Sequence, residues 1–144
     1  RSAGDLFDNL KVTLKELKGV VDILKKSQAE VLVLPGNHDY YDGKDNKLWK
    51  MFLDVSENSN IRLMHQSEPY RTECEGQTIC FYPAPCMSKH HEGHVIGWVQ
   101  AIEKSPNEIH VGIAHGNVEN LGVDEADRYF NMTESDLRQA GVDF

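Results

Sequence analysis

Val31-Leu32-Val33-Leu34-Pro35-Gly36-Asn37-His38-Asp39 passes from four aliphatic residues into a turn carrying an amide, an imidazole and a carboxylate. A short unbroken apolar run stopped by Pro-Gly reads as a strand covered on both faces, as in a parallel sheet. Residues that follow such a strand stand at the carboxyl end of the sheet, where open α/β folds collect their ligands. Asn37 offers a neutral oxygen to a hard cation. His38 offers an imidazole able to donate a proton, and Asp39 a carboxylate able to fix the tautomer of that ring. Taken alone, the same letters also describe a Gly-Asn turn beside a surface histidine.

Upstream of this strand, Leu10, Leu14, Leu17, Val21 and Leu24 recur at spacings of four and three, one stripe of a helix, with Asp8 or Asn9 as its N-cap. Downstream, Leu48, Met51, Phe52 and Val55 predict a second helix ending near Asn58, and Ile61-Arg62-Leu63-Met64 a second strand. Residues 70–82 read as a hairpin turning at Glu75-Gly76, which Pro83-Ala84-Pro85 must stop. A short helix over 95–102 precedes the strand Ile109-His110-Val111-Gly112-Ile113-Ala114, which runs straight into His115 and Gly116. Residues 117–132 read as a long polar loop. Thr133-Glu134-Ser135-Asp136 offers a capping box for a last helix, and Val142-Asp143-Phe144 opens a strand. The alternation predicts an α/β fold with an inserted β-hairpin, built as one domain over 1–144.

The 144 residues, 40% apolar and 26% charged, suffice for one sizeable core. No apolar run approaches the roughly 18 residues of a membrane span, and no signal peptide stands at the start, so a cytoplasmic protein without a membrane partner is expected. Cys74, Cys80 and Cys86 are an odd count, expected as reduced thiols, and Asn131-Met132-Thr133 is discounted as a glycosylation acceptor. A net charge of −8 disfavours unaided binding to a phosphate backbone, so a phosphate ligand would need bound cations.

Gly4-Asp5-Leu6-Phe7-Asp8 repeats the logic of the first loop: a glycine for close approach, then a carboxylate able to bridge cations. His115, after its own strand, is a candidate third ligand. All three motifs are expected at strand ends on one edge of the sheet. Cys86, His90, His91 and His94 form a second metal-like cluster, but their spacing matches a solvated loop better than a closed zinc site. Asp124-Glu125-Ala126-Asp127 spells a helicase box without any phosphate-binding loop to accompany it, and reads as an acidic surface loop. Tyr40, Tyr41 and Trp49 are placed to stack on bases or to pack a core.

At these motifs the chain resembles the calcineurin-like metallophosphoesterase superfamily, most closely its DNA-repair exonuclease branch, typified by the bacterial SbcD nuclease. The resemblance implies a layered β-sandwich flanked by helices. It implies that Asp5 bridges two metals, that Asn37 and His115 bind one of them, and that His38, oriented by Asp39, is the catalytic imidazole. Some nuclease members carry His three residues after the bridging Asp; Asp8 stands there, as a carboxylate behind the ligands. Tyr40 and Tyr41, by their place beside the Asn37–Asp39 loop rather than by the resemblance, are the candidate substrate contacts. His115-Gly116-Asn117-Val118-Glu119 and residues 136–144 look like that branch's run-up to its last metal motif.

The implied activity is phosphodiester hydrolysis of DNA by a two-metal-activated hydroxide. Manganese is the expected ion, with magnesium, iron and zinc as other candidates, and an SbcC-like ATPase is the implied partner of the whole protein. The family's first motif, Asp-x-His, and its last, Gly-His-x-His, are absent from the sequence. The chain is therefore expected to be a fragment, inactive by itself, binding metal weakly or not at all, and exposing sheet edges that a second copy would cover. A phosphoesterase for a small nucleotide, or a non-catalytic scaffold of the same fold, are the alternative readings.

Overall fold

The computed structural model describes residues 2–43, 45–90, 95–118 and 130–144. Along Val31–Leu34 the side chains alternate between two cores. Val31 and Val33 pack with Leu17, Val21, Leu48, Trp49 and Phe52, whereas Leu32 and Leu34 meet Met64, Ile79, Phe81, Val111 and Ile113. Alternation with period two therefore leaves neither face polar, which is why four aliphatic residues stand in a row.

Three strands, β1 (Ser2–Ala3), β2 (Val31–Leu34) and β3 (Ile61–Leu63), form a wholly parallel sheet in the order β1-β2-β3. Val33 lies opposite Ser2 on one side and Leu63 on the other. Helices α1 (Leu14–Leu24) and α2 (Lys47–Ser56) cover its outer face. Helix α1 starts later than its apolar stripe suggests. Thr13, not Asp8 or Asn9, is the N-cap, because Thr13 and Glu16 satisfy one another's backbone N–H groups in a capping box. Asn9 instead turns its side-chain oxygen onto the Lys11 N–H at 2.8 Å. Leu10 still packs against the core from outside the helix, while Leu14 is 47% exposed. Helix α2 is capped by Asn46 and ends at Ser56, close to the expected end.

The second sheet contains β4 (Tyr70–Cys74), β5 (Gln77–Ala84) and β6 (Ile109–Ala114) in the order β4-β5-β6, with β4 antiparallel and β6 parallel to β5. Its hairpin turns where expected, with positive φ at both Glu75 and Gly76. Strand β5 outruns its expected end, however, since Pro83 and Ala84 pair with Ile113 and Ala114 of β6. Strand β4 begins at Tyr70 opposite Phe81, so Pro83 has a strand on one side only, and an edge position tolerates a residue without an N–H.

Ile79 and Phe81 face the first sheet; Cys80, Tyr82 and Ala84 face outward into a third core with Ile96, Val99, Met132 and Ala140. That outer core is covered by a 3-10 helix, Gly97–Ala101, where a short helix was expected, and by α3 (Glu134–Ala140). The layers are thus helices, parallel sheet, mixed sheet and helices, the mixed α/β sandwich anticipated from the sequence.

Thr133 caps α3 through the predicted box with Asp136, and Gly141 ends it at φ 60. Two residues at each end of the expected 117–132 loop are strand: β7 (Asn117–Val118) pairs in parallel with β8 (Asn131–Met132), while residues 119–129 lie outside the described ones. Residues 142–144, where a strand was expected to open, are not strand; they lie beside β6 through a few single bonds, with the Asp143 N–H on the His110 carbonyl at 2.8 Å and the Gly112 N–H on that of Phe144 at 2.8 Å. Among the described residues no helix is long and apolar enough to cross a membrane.

Candidate metal centre

The loops after β1, β2 and β6 converge. Asp5 and Asn37 follow neighbouring strands of the parallel sheet, whereas His115 follows β6 of the other sheet, so the three motifs lie across two sheets rather than on one edge of a single sheet. His115 Nε2 stands 2.9 Å from Asn37 Oδ1 and 3.2 Å from Asp5 Oδ2. An amide oxygen and a carboxylate can only accept, so Nε2 carries a proton shared between them. A divalent cation could take the place of that proton among the same three donors, and imidazole with two oxygens suits such an ion.

The backbone is shaped for this approach. A Cβ on Gly4 would fall 2.1 Å from His115 Nδ1, and one on Gly36 would fall 2.2 Å from Asp5 Oδ1. Gly4 has φ 90 and Asp5 itself has φ 50, so the turn after β1 is held in the left-handed region to aim the carboxylate. The donor set and the two glycine cradles fit a metal at Asp5, Asn37 and His115.

His38 is exposed, its side chain 48% accessible, and its backbone N–H donates to Asp5 Oδ1 at 3.0 Å. The ring's Nδ1 lies 3.1 Å from the Asp8 carbonyl. That carbonyl can only accept, so Nδ1 holds a proton and Nε2 is left to exchange one. The Asp8 carboxylate, 97% exposed, stands 3.8 Å from the same Nδ1.

Asp39 is placed differently from its expected role. It is fully buried, and its carboxylate accepts from the Phe7 N–H at 2.9 Å and the Gly36 N–H at 2.7 Å. It ties the two ligand loops together, and the Asp8 carbonyl meets His38 in its stead. Burial raises the Asp39 carboxyl above the ordinary range, with the Asp5 charge adding to the rise and the two backbone N–H bonds opposing it.

Tyr40 and Tyr41 are half-buried beside the loop, with the Tyr41 ring centroid 4.7 Å from that of His65. Trp49 is core: it is fully buried and its indole N–H donates to the Asp39 carbonyl.

Sequence reasoning passed over Cys86 in this site. The Cys86 N–H donates to the Pro35 carbonyl at 3.1 Å, and its own carbonyl accepts from Tyr41 at 2.8 Å, bracketing the Asn37–Asp39 turn from both ends. Its thiol donates to the His115 carbonyl at 3.6 Å. Only the position of Cys86 shortly after a strand hinted at this. The cysteine-histidine cluster considered above is not assembled by the described residues, since His91 and His94 lie outside them. Glu119 and the acidic stretch 124–127 lie outside them too. All three cysteines are free thiols.

The chain matches the calcineurin-like phosphoesterase family over residues 2–144, and it belongs to that family. No curated protein and no solved structure matches it. The family consists in general of metal-binding phosphoester hydrolases, and the convergence of Asp5, Asn37 and His115 is the part of this fold that fits such chemistry.

Proposed function

We propose that the protein is a metal-dependent phosphodiesterase acting on DNA, with Asp5, Asn37 and His115 as ligands and His38 as the proton-exchanging group. The observation that carries this reading is the His115 Nε2 position between Asn37 Oδ1 and Asp5 Oδ2, with His38 anchored to the same Asp5 through its backbone. A bound divalent cation supplies Lewis-acid stabilisation of a phosphoryl oxygen and acidifies a water at neutral pH. Oxygen and imidazole ligands favour manganese or magnesium over a thiolate-loving ion.

Asp5 orients the ligand turn by accepting the His38 N–H. His38, its Nδ1 proton held by the Asp8 carbonyl, gives or takes a proton through Nε2 at the substrate oxygen. Tyr40 and Tyr41 at the rim offer faces on which bases can stack, a sequence-tolerant contact. DNA-repair exonuclease activity and an SbcC-like ATPase partner belong to the same proposal. They rest on the resemblance of the segment after β6 and of residues 136–144 to the exonuclease branch.

The net charge of −8 favours one second reading, hydrolysis of a small phosphoester that needs no basic track. The two are separated by assaying the whole polypeptide that the gene encodes, with added manganese, on single-stranded DNA and on bis-p-nitrophenyl phosphate. Turnover of DNA supports the leading reading; hydrolysis of the small diester alone transfers the proposal to the second. Manganese titration of the 144-residue chain tests the ligand set directly, since Asn37→Ala and His115→Ala must each weaken binding.

A further inference from the structure

On the opposite face of the second sheet from the inter-sheet core, Cys80 of β5 and His110 of β6 are direct partners in the parallel register. Glu108 stands two residues before His110, and one ligand atom from each of these three residues lies within 4.8 Å of the other two. Cys80 is fully buried and His110 is 6% exposed. This cluster is separate from Asp5, Asn37 and His115: five residue steps of extended chain, about 16 Å, separate His110 from His115.

Two features go beyond packing. The first is the orientation of His110. Its Nε2 lies 2.7 Å from the Ser105 carbonyl, an acceptor only, so Nε2 carries the proton and Nδ1 presents a lone pair. That lone pair now accepts from the Tyr82 hydroxyl at 2.9 Å. A histidine whose outer nitrogen donates to a backbone carbonyl is in the tautomer and setting of a metal ligand.

The second is Glu108. Its Oε1 accepts from Arg71 at 3.1 Å, while its Oε2 is buried and finds no hydrogen-bond partner among the described residues. An orphaned buried carboxylate oxygen is costly unless something cationic or donating meets it.

We infer that Cys80 Sγ, Glu108 Oε2 and His110 Nδ1 form a site for a single zinc-like divalent cation, structural in role, that pins β5 to β6. Thiolate, imidazole and carboxylate together are a zinc donor set, with bonds of about 2.0–2.3 Å that place ligand atoms roughly 3.3–3.7 Å apart. The present limit of 4.8 Å lies within about 1.5 Å of these separations. Ligation releases the Cys80 thiol proton to solvent, and the Tyr82 hydroxyl gives up its bond to His110 and stands by the fourth position.

The charged groups around the cluster each have a partner other than the three ligand atoms. Arg71 is half-exposed and engaged on the far carboxylate oxygen, Lys104 sits over the Tyr82 ring at 5.4 Å, and the Asp143 carboxylate accepts the His110 N–H at 2.8 Å.

Cobalt titration under reducing conditions tests this, because a thiolate-to-cobalt charge-transfer band reports sulfur ligation and the Asp5, Asn37 and His115 donors carry no sulfur. In the Cys74→Ala/Cys86→Ala double variant, where Cys80 is the sole thiol, one equivalent of cobalt is expected to give the band. Glu108→Gln and His110→Asn, introduced into that background, should each weaken binding roughly tenfold or more, the loss that even an outer partner of a metal ligand can cause. Absence of the band in the double variant, or undiminished affinity in both ligand variants, overturns the inference. Should the double variant fail to fold, alkylation of the unsubstituted protein in mild denaturant gives the answer. One equivalent of zinc must protect Cys80, and equal labelling of Cys80 with and without zinc overturns the site.

Discussion

Asp39 and Phe7 are 32 residues apart in sequence, and the Asp39 carboxylate accepts the Phe7 N–H at 2.9 Å while its other oxygen takes the Gly36 N–H at 2.7 Å. One buried side chain therefore sets the distance between the loop that carries Asp5 and the loop that carries Asn37. Asp39→Asn keeps the shape but leaves one of these N–H groups facing an amide NH2. A buried donor left unsatisfied costs about 1–3 kcal/mol. Urea denaturation should show a loss of that size, and manganese affinity should fall with it, because the separation of the ligands is no longer fixed. Unchanged stability together with lost hydrolysis would instead return Asp39 to a direct role in catalysis.

Two glycines make opposite predictions. A Cβ at Gly36 would meet Asp5 Oδ1 at 2.2 Å and the Asp5 backbone N at 2.3 Å, so Gly36→Ala must displace the carboxylate and weaken metal binding. Gly19, inside α1, has nothing within 4 Å of an added Cβ. Gly19→Ala should stabilise the protein by about 0.5–1 kcal/mol by improving helix propensity, with metal affinity untouched. Calorimetric metal titration and thermal melts on the two variants check both signs.

The local patterns in the sequence were sufficient for β2, the hairpin, β6, α2 and the box at Thr133, because each follows from a short-range rule. They failed where a choice depended on competition or on distant partners. Thr13 displaced Asp8 and Asn9 as the α1 cap only because Glu16 stands three residues on to complete a box. Pro83 remained in β5 because β4 does not extend beside it, which no local pattern contains. The candidate site was legible as residue types, yet the assignment of His115 to a second sheet was not, since parallel strands give no sequence sign of which sheet they join. The partner of Asp39 was likewise hidden, because a backbone N–H leaves no letter.

Acid should loosen α1 by a traceable route. Glu16 is held below its ordinary value of 4.5 chiefly by the Thr13 hydroxyl and then by the Thr13 backbone N–H. A carboxylate lowered on folding contributes stability above its unfolded value and loses it as pH falls through the lowered one. The stability difference between the unsubstituted protein and Glu16→Gln should therefore be full above pH 4.5 and shrink on further acidification. A difference that stayed constant down to pH 2, about two units lower, would show that the cap does not depend on the charge.

If His38 exchanges the proton, its loss should strike the rate and leave metal binding alone. Its ring faces Asp8, whereas Asp5, Asn37 and His115 meet one another. His38→Gln is expected to reduce turnover by roughly 10²–10⁴-fold, the usual worth of a positioned acid or base. Asp8→Ala keeps the backbone carbonyl that fixes the tautomer and removes only an exposed ion pair, so it should cost no more than about fivefold. An Asp8 effect as large as that of His38 would show that the carboxylate, rather than the carbonyl, orients the ring.

Cys86 should resist modification while the ligand loops are closed. It is fully buried, and burial, followed by the charges of Asp5 and Asp39, pushes its thiol up to about 12. At pH 8 the reactive thiolate is then only about one part in ten thousand, before access is counted. Cys74 is exposed. Brief treatment with iodoacetamide should therefore label Cys74 and spare Cys86, and full labelling of Cys86 should require denaturant. Because Cys86 holds Pro35 and Tyr41 through its backbone and His115 through its thiol, its labelling rate is also a measure of how often the turn around Asn37 opens. A metal held by Asp5, Asn37 and His115 should slow it further. If Cys86 reacts as fast as Cys74 in the native protein, the three-way clamp does not form in solution, and the metal ligands are not held in the arrangement described above.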